Sequence, residues 1–250
     1  MTLSTPDTAA ENSPTVAAAI ATVQHGFDLW RRSFWSCLPL ALLAVVAGQL
    51  PGWVGAATSS RPLAFALTVF MTLVGLWLLA IIALQQAAIF SQRSERPMAS
   101  VRTALDRLPR LVGVIVAQVM LVLVGVALLV IPGIYLFVAV WPAFYLALLE
   151  RRGVVESIDL ALQLVRRRWW QVAAVLLLCV IAVLVLFVFD ITLNLVLTQL
   201  LGHLPDARLS TVLGVLVSAL FQPFCIAVGL VEFRFLRRVT PLDTLAAEDR

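Results

Sequence analysis

Leu111–Leu149 reads LVGVIVAQVMLVLVGVALLVIPGIYLFVAVWPAFYLALL, 39 residues without a charge. As one helix it would reach roughly 58 Å, about twice the ~30 Å hydrocarbon core of a bilayer. Pro132-Gly133 lies near its middle. Proline removes a rung of the helix ladder, and glycine permits a tight reversal. The simplest reading is two spans, 112–131 and 134–149, joined by a turn at Pro132-Gly133. Pro142 should kink the second.

Four more charge-free stretches lie on either side: Ser33–Ser60, Pro62–Gln92, Trp169–Phe189 and Leu209–Val231. They are apolar on all sides, whereas outer-membrane strands alternate over about 10 residues. In hydrocarbon every backbone N–H needs a partner within the protein, so these stretches predict helices. Spans at 35–54, 65–89, 170–190 and 210–232 bring the total to six. The chain is 62% hydrophobic and only 13% charged, with mean hydropathy +1.00. Soluble domains carry about 25% charged residues. The expected fold is therefore an all-α, polytopic transmembrane helical bundle over 15–239. Before it, 1–14 reads as a disordered tail; after it, 240–250 reads as a cytoplasmic tail. The first apolar run starts too late, and runs too long, for a cleavable signal peptide.

All 18 basic residues are Arg, and they are not spread evenly. Arg31 and Arg32 precede span one. Arg93, Arg96, Arg102, Arg107 and Arg110 separate spans two and three. Arg151, Arg152, Arg166, Arg167 and Arg168 separate spans four and five. Arg234, Arg237, Arg238 and Arg250 follow span six. Six spans put these 16 on one side and only Arg61 and Arg208 on the other. The positive-inside rule then puts these 16, and both termini, in the cytoplasm. The expected location is a bacterial-type inner (plasma) membrane. Without the turn at Pro132-Gly133 there would be five spans, and the asymmetry would vanish. Trp30, Trp35, Trp53, Trp169 and Trp170 fall at expected interfaces; Trp77 and Trp141 lie deeper. The net charge of +4 and pI of 9.6 thus read as topology, with no nucleic-acid partner.

Two connections look amphipathic. Ile158, Ala161, Leu162 and Val165 share one face of Ser157–Arg168, with Ser157 as the cap. Val101, Ala104, Leu105 and Leu108 do the same in Ser100–Arg110. Both predict cytoplasmic interfacial helices with their apolar faces in the membrane. Ser100-Val101-x-x-Ala104-Leu105, Ser157-Ile158-x-x-Ala161-Leu162 and the looser Thr15-Val16-x-x-Ala19-Ile20 resemble one another. A threefold repeat of interfacial helix plus two-span hairpin would explain this; so would chance likeness among apolar helices.

Material for catalysis is scarce. His25 and His203 have no carboxylate cluster or metal-ligand spacing around them. Phosphate loops and nucleophile elbows are absent from the sequence, and no cofactor or metal site is expected. Cys37, Cys179 and Cys225 read as small buried hydrophobes. Glu150 and Glu232 end spans four and six, where pairing with Arg151 and Arg234 would account for them; Asp190 ends span five. Gln85, Gln86, Gln118 and Gln222 suit bonds between helices. Gly113-x-x-x-Ala117 and Gly214-x-x-x-Ser218 are small-residue pairs. The densest chemistry is Arg151, Arg152, Arg166, Arg167, Arg168, Trp169 and Trp170. This set could contact anionic phospholipid, at about 1 kcal/mol per Arg near the surface, or simply set topology and anchor the interface.

The run Ile131-Pro132-Gly133-Ile134-Tyr135-Leu136, followed by Pro142, Glu150, Ser157, Ala161-Leu162 and Arg168-Trp169-Trp170, resembles a group of bacterial polytopic membrane proteins. These include the membrane domain beside some glycerophosphoryl diester phosphodiesterases and the YciC-like inner-membrane family. The likeness is clearest over 85–175; Gln163 departs from the Ser of many members. It implies fold and location. The phosphodiesterase barrel is a separate domain for which this chain has no room. The functional expectation is a non-enzymatic accessory or scaffold factor in envelope or lipid homeostasis. Its partners would be membrane lipids, another membrane protein or a second copy. A small transporter or channel subunit is the alternative.

Overall fold

The computed structural model describes residues 15–57, 61–92, 97–201 and 207–239. They form eight helices: α1 (Thr15–Ala57), α2 (Arg61–Phe90), α3 (Pro97–Leu128), α4 (Val130–Val140), α5 (Ala143–Leu149), α6 (Val154–Arg166), α7 (Trp169–Leu201) and α8 (Ala207–Val239). The described residues contain no strand. Six segments are long and apolar enough to cross a bilayer: Val16–Gly52, Arg61–Phe90, Met98–Leu128, Val130–Leu149, Trp169–Leu193 and Val212–Arg238. The chain is an all-α, multi-pass membrane protein. The expected tails, 1–14 and 240–250, lie outside the described residues, as do Arg93, Arg96, His203 and Arg250.

The long apolar stretch does fold back, but the reversal is at Leu129, not at Pro132-Gly133. Leu129 is extended, with φ −167° and ψ 145°, and α4 starts at the next residue. Pro132 falls in the first turn of α4, where a missing N–H costs nothing because no carbonyl awaits it. The proline therefore starts a helix where it was expected to end one. Gly133 packs against α3: a Cβ on Gly125 would stand 2.9 Å from the Gly133 Cα. Further along, Gln118 Nε2 donates to the Val140 carbonyl at 2.5 Å. Both pairs are centred on Leu129, as an antiparallel hairpin requires. Pro142 does interrupt the returning arm, which breaks into α4 and α5 at Trp141-Pro142.

The expected interfacial helices need correction. Thr15–Ile20 and Ser100–Arg110 are not separate elements; they run unbroken into α1 and α3. No residue between Ile20 and Trp35 forces a break. Gly26 is accommodated by close packing, since a Cβ there would stand 2.8 Å from the Val228 Cα. Only α6 is a helix of its own. It begins at Gly153, whose N–H is met by Glu156 Oε2 at 3.4 Å, so Ser157 is not the cap. Its inner face is Ser157, Leu160, Ala161, Leu164 and Val165, and it packs on α4 and α5. Protein covers this face, not lipid. At the three similar motifs Ala19, Ala104 and Ala161 are all fully buried.

The chain divides into two compact units. One comprises Met1–Asp28, Arg107–Leu178 and Ala227–Arg250; the other comprises Leu29–Asp106 and Cys179–Ile226. In the first, Val138 and Ala139 of α4 pack with Val165, Val172, Leu176 and Leu236. In the second, Cys37 and Ala41 of α1 pack with Ile82 of α2 and Ala219 of α8. Here α1 and α2 pack against each other. Gln86 reaches Ser33 Oγ at 3.4 Å and the Pro223 carbonyl at 2.8 Å.

Candidate functional site

The first unit gathers its charged residues around the end of α5. Glu150 is the C-cap of that helix, and Arg151 follows in the left-handed region at φ 59°. The Arg237 guanidinium grips Glu150 with two parallel bonds: Nε donates to Oε1 at 2.6 Å and Nη2 to Oε2 at 2.7 Å. Such a fork is the strong form of an ion pair, because geometry and charge agree. Arg152 stands 3.8 Å from the same carboxylate and bonds Glu156 one turn into α6. Arg107 donates to the Leu148 carbonyl, and Arg110 to the Arg151 carbonyl at 3.3 Å. Helix ends leave carbonyls without N–H partners and carry partial negative charge, which guanidinium groups satisfy.

Glu232, in α8, is buried at 1% exposure. Its partners are neutral: Thr22 Oγ1 donates to Oε2 at 3.1 Å, and Gln171 Nε2 to Oε1 at 3.4 Å. Gln171 accepts in turn from Arg168 Nη1 at 3.4 Å. The Arg168 guanidinium lies 5.3 Å above the ring of Phe235, within cation–π range. A chain of contacts therefore runs from the α6–α7 turn through α7 to the facing ends of α1 and α8. In place of the expected local pairs, Glu150 with Arg151 and Glu232 with Arg234, Glu150 pairs with Arg237 and Arg152 and Glu232 with Thr22 and Gln171.

Trp169 stacks on Tyr135 of α4, with ring centroids 5.6 Å apart and planes 15° from parallel. Its Nε1 donates to the Tyr135 carbonyl at 3.3 Å. Trp170 packs edge-on against it at 4.8 Å and is 75% exposed.

The seven expected lipid-contact residues thus separate into two sets. Arg152, Arg168 and Trp169 are half-buried. Arg151, Arg166, Arg167 and Trp170 are exposed. Arg107, Arg110, Arg237, Glu232, Thr22, Gln171 and Tyr135 complete the network and were not singled out for it from sequence.

In the second unit the polar groups bond between helices. Besides Gln86, Cys37 Sγ lies 3.9 Å from Gln85 Oε1, and Trp30 Nε1 donates to the Leu220 carbonyl at 3.1 Å. Gly214 and Ser218 line a small apolar groove of about 170 Å³ beside Val183 and Phe187. Gly113 is used differently: a Cβ there would stand 2.8 Å from Val154. The three cysteines are free thiols; Cys37 is buried, and Cys179 and Cys225 are half-buried. Among the described residues no three of His, Cys, Asp and Glu come together to hold a metal.

Comparison with protein families, with curated proteins and with solved structures gave no match.

Proposed function

We propose that this protein is a non-enzymatic accessory or scaffold factor of a bacterial inner membrane, acting in envelope or lipid homeostasis, with both termini in the cytoplasm. The observation that carries this reading is an exposed run of arginine and tryptophan at the start of α7. Arg166 and Arg167 are exposed, and so is Trp170, three residues on, at 75%. Arginine next to interfacial tryptophan suits a surface of anionic phosphate headgroups. The inner-membrane assignment rests on the 16-to-2 arginine count and agrees with the resemblance to the YciC-like group.

Purification in mild detergent, with lipids and proteins identified together, tests the reading. Retention of anionic phospholipid or of a stoichiometric membrane-protein partner is expected. A monomer carrying neither would contradict it. The transporter alternative needs a polar path between helices. Gln86 and Gln118 instead donate to carbonyls of neighbouring helices, so nothing here favours that alternative, and solute flux in proteoliposomes would revive it.

A further inference from the structure

The α3–α4 hairpin is apolar enough to cross a bilayer, yet its contacts place a charged turn beside its far half. Val138 and Ala139 of α4 pack against Val165, in the last turn of α6, and Val172, in the first turns of α7. Tyr135 is stacked and hydrogen-bonded to Trp169. Arg166 ends α6, Arg167 and Arg168 form the turn to α7, and Arg166 and Arg167 are exposed. An arginine at the bilayer centre costs at least about 2.5–3.5 kcal/mol, and two or three together would have to reach headgroups. This turn therefore sits at the headgroup level.

That level fixes how deep the hairpin goes. Tyr135 is six residues from the reversal at Leu129, about 9 Å along a helix axis. The hydrocarbon core is about 30 Å thick. At its base the same hairpin is tied to charged residues, through Arg107 on the Leu148 carbonyl and Arg110 on the Arg151 carbonyl. Charged groups thus flank it at the base and again two-thirds of the way to its tip. A hairpin standing upright would drag one of these groups into hydrocarbon.

We infer that α3 and α4 form a re-entrant hairpin, lying steeply tilted in the leaflet on the arginine side, with its tip among the acyl chains of that leaflet alone. The tip has the right surface. Leu128, Leu129, Val130, Ile131 and Ile134 are between 54% and 79% exposed, and all are aliphatic. The arginine asymmetry survives, because a re-entrant hairpin also returns to the side it left. This deepens the proposed lipid role, since a wedge in one leaflet senses the packing of that leaflet; it rests on the one-sided arginine topology used there.

The test is depth at Ile131 in the full chain, with Cys37, Cys179 and Cys225 replaced by Ala. Single cysteines Ile131→Cys and Arg61→Cys are treated with a membrane-impermeant maleimide from each side of sealed vesicles. The expected result is that Ile131→Cys does not react from the side on which Arg61→Cys reacts. A nitroxide at 131 should be relaxed by dissolved oxygen and not by a water-soluble nickel chelate. Reaction of Ile131→Cys alongside Arg61→Cys, or chelate access from that side, would overturn the inference. Leu128→Cys serves if Ile131→Cys does not fold. Labelling of Arg152→Cys from the Arg61 side would overturn it by removing the topology beneath it. Lipid or partner capture plays no part in these readouts, so failure of the accessory role leaves them intact.

Discussion

Arg237 and Glu150 form a two-bond fork at 2.6 and 2.7 Å across 87 residues of sequence, and it ties the end of α8 to the end of α5. Their side chains are 19% and 22% exposed, so the pair is neither a surface bridge nor a fully buried one. Exposed pairs contribute about 0–1 kcal/mol, and breaking a buried one costs about 3–5 kcal/mol. Arg237→Met is expected to cost about 2 kcal/mol, read as a lower melting temperature in detergent. Arg237→Lys should recover only part of it, because an ammonium cannot fork. Full recovery by Lys would show that charge alone matters.

Close packing at the hairpin gives a second expectation. A side chain at Gly133 would meet the Val126 backbone nitrogen at 2.8 Å, while one at Gly214 meets nothing within 4 Å. Gly133→Val should therefore destabilise by about 1–3 kcal/mol through overpacking. Gly214→Ala should raise the melting temperature slightly, by about 0.5–1 kcal/mol of stability, because alanine suits a helix interior better than glycine. Equal effects would mean that the α3–α4 contact is not formed.

How much of this was legible in the sequence differs from element to element. Six apolar segments and the need for a reversal near residue 130 follow from length and charge alone. Sequence alone does not locate the reversal, because Pro132 breaks a helix only when an N–H is required of it, and in a first turn none is. Nor does it join Thr15–Ile20 and Ser100–Arg110 to their spans, because an amphipathic pattern marks which face is buried, not where a helix ends. Glu232 meets Thr22 across 210 residues and Gln171 across 61, and no local pattern announces such pairs. Of the expected lipid-contact set, sequence could supply the cluster but not which arginines the fold would occupy.

Gln86 is fully buried, with its Nε2 bonded to Pro223 and Ser33 and its Oε1 without a partner among the described residues. Side-chain bonds between helices in membranes average about 0.6 kcal/mol. A double-mutant cycle of Ser33→Ala with Gln86→Leu should give a coupling of about 1 kcal/mol or less. A coupling several times larger would argue that these groups do more than hold α1, α2 and α8 together.

Arg151 carries a left-handed backbone at φ 59°, and its side chain is exposed. The left-handed region costs an L-residue about 1–2 kcal/mol, and glycine avoids that cost. Arg151→Gly is expected to raise the melting temperature, with a gain of about 1 kcal/mol after the added freedom of the unfolded chain is subtracted. A fall would mean that the Arg151 side chain has a binding role inside the fold.

In the proposed topology the chain enters and leaves the membrane with its arginine-rich segments on one side. Reporter fusions in cells measure this directly. Fusions after Arg93, Arg152 and Arg238 should all report the cytoplasm, and fusions beside Arg61 and Arg208 should report the opposite side. A fusion after Arg152 that reports the same side as Arg61 would rule this topology out.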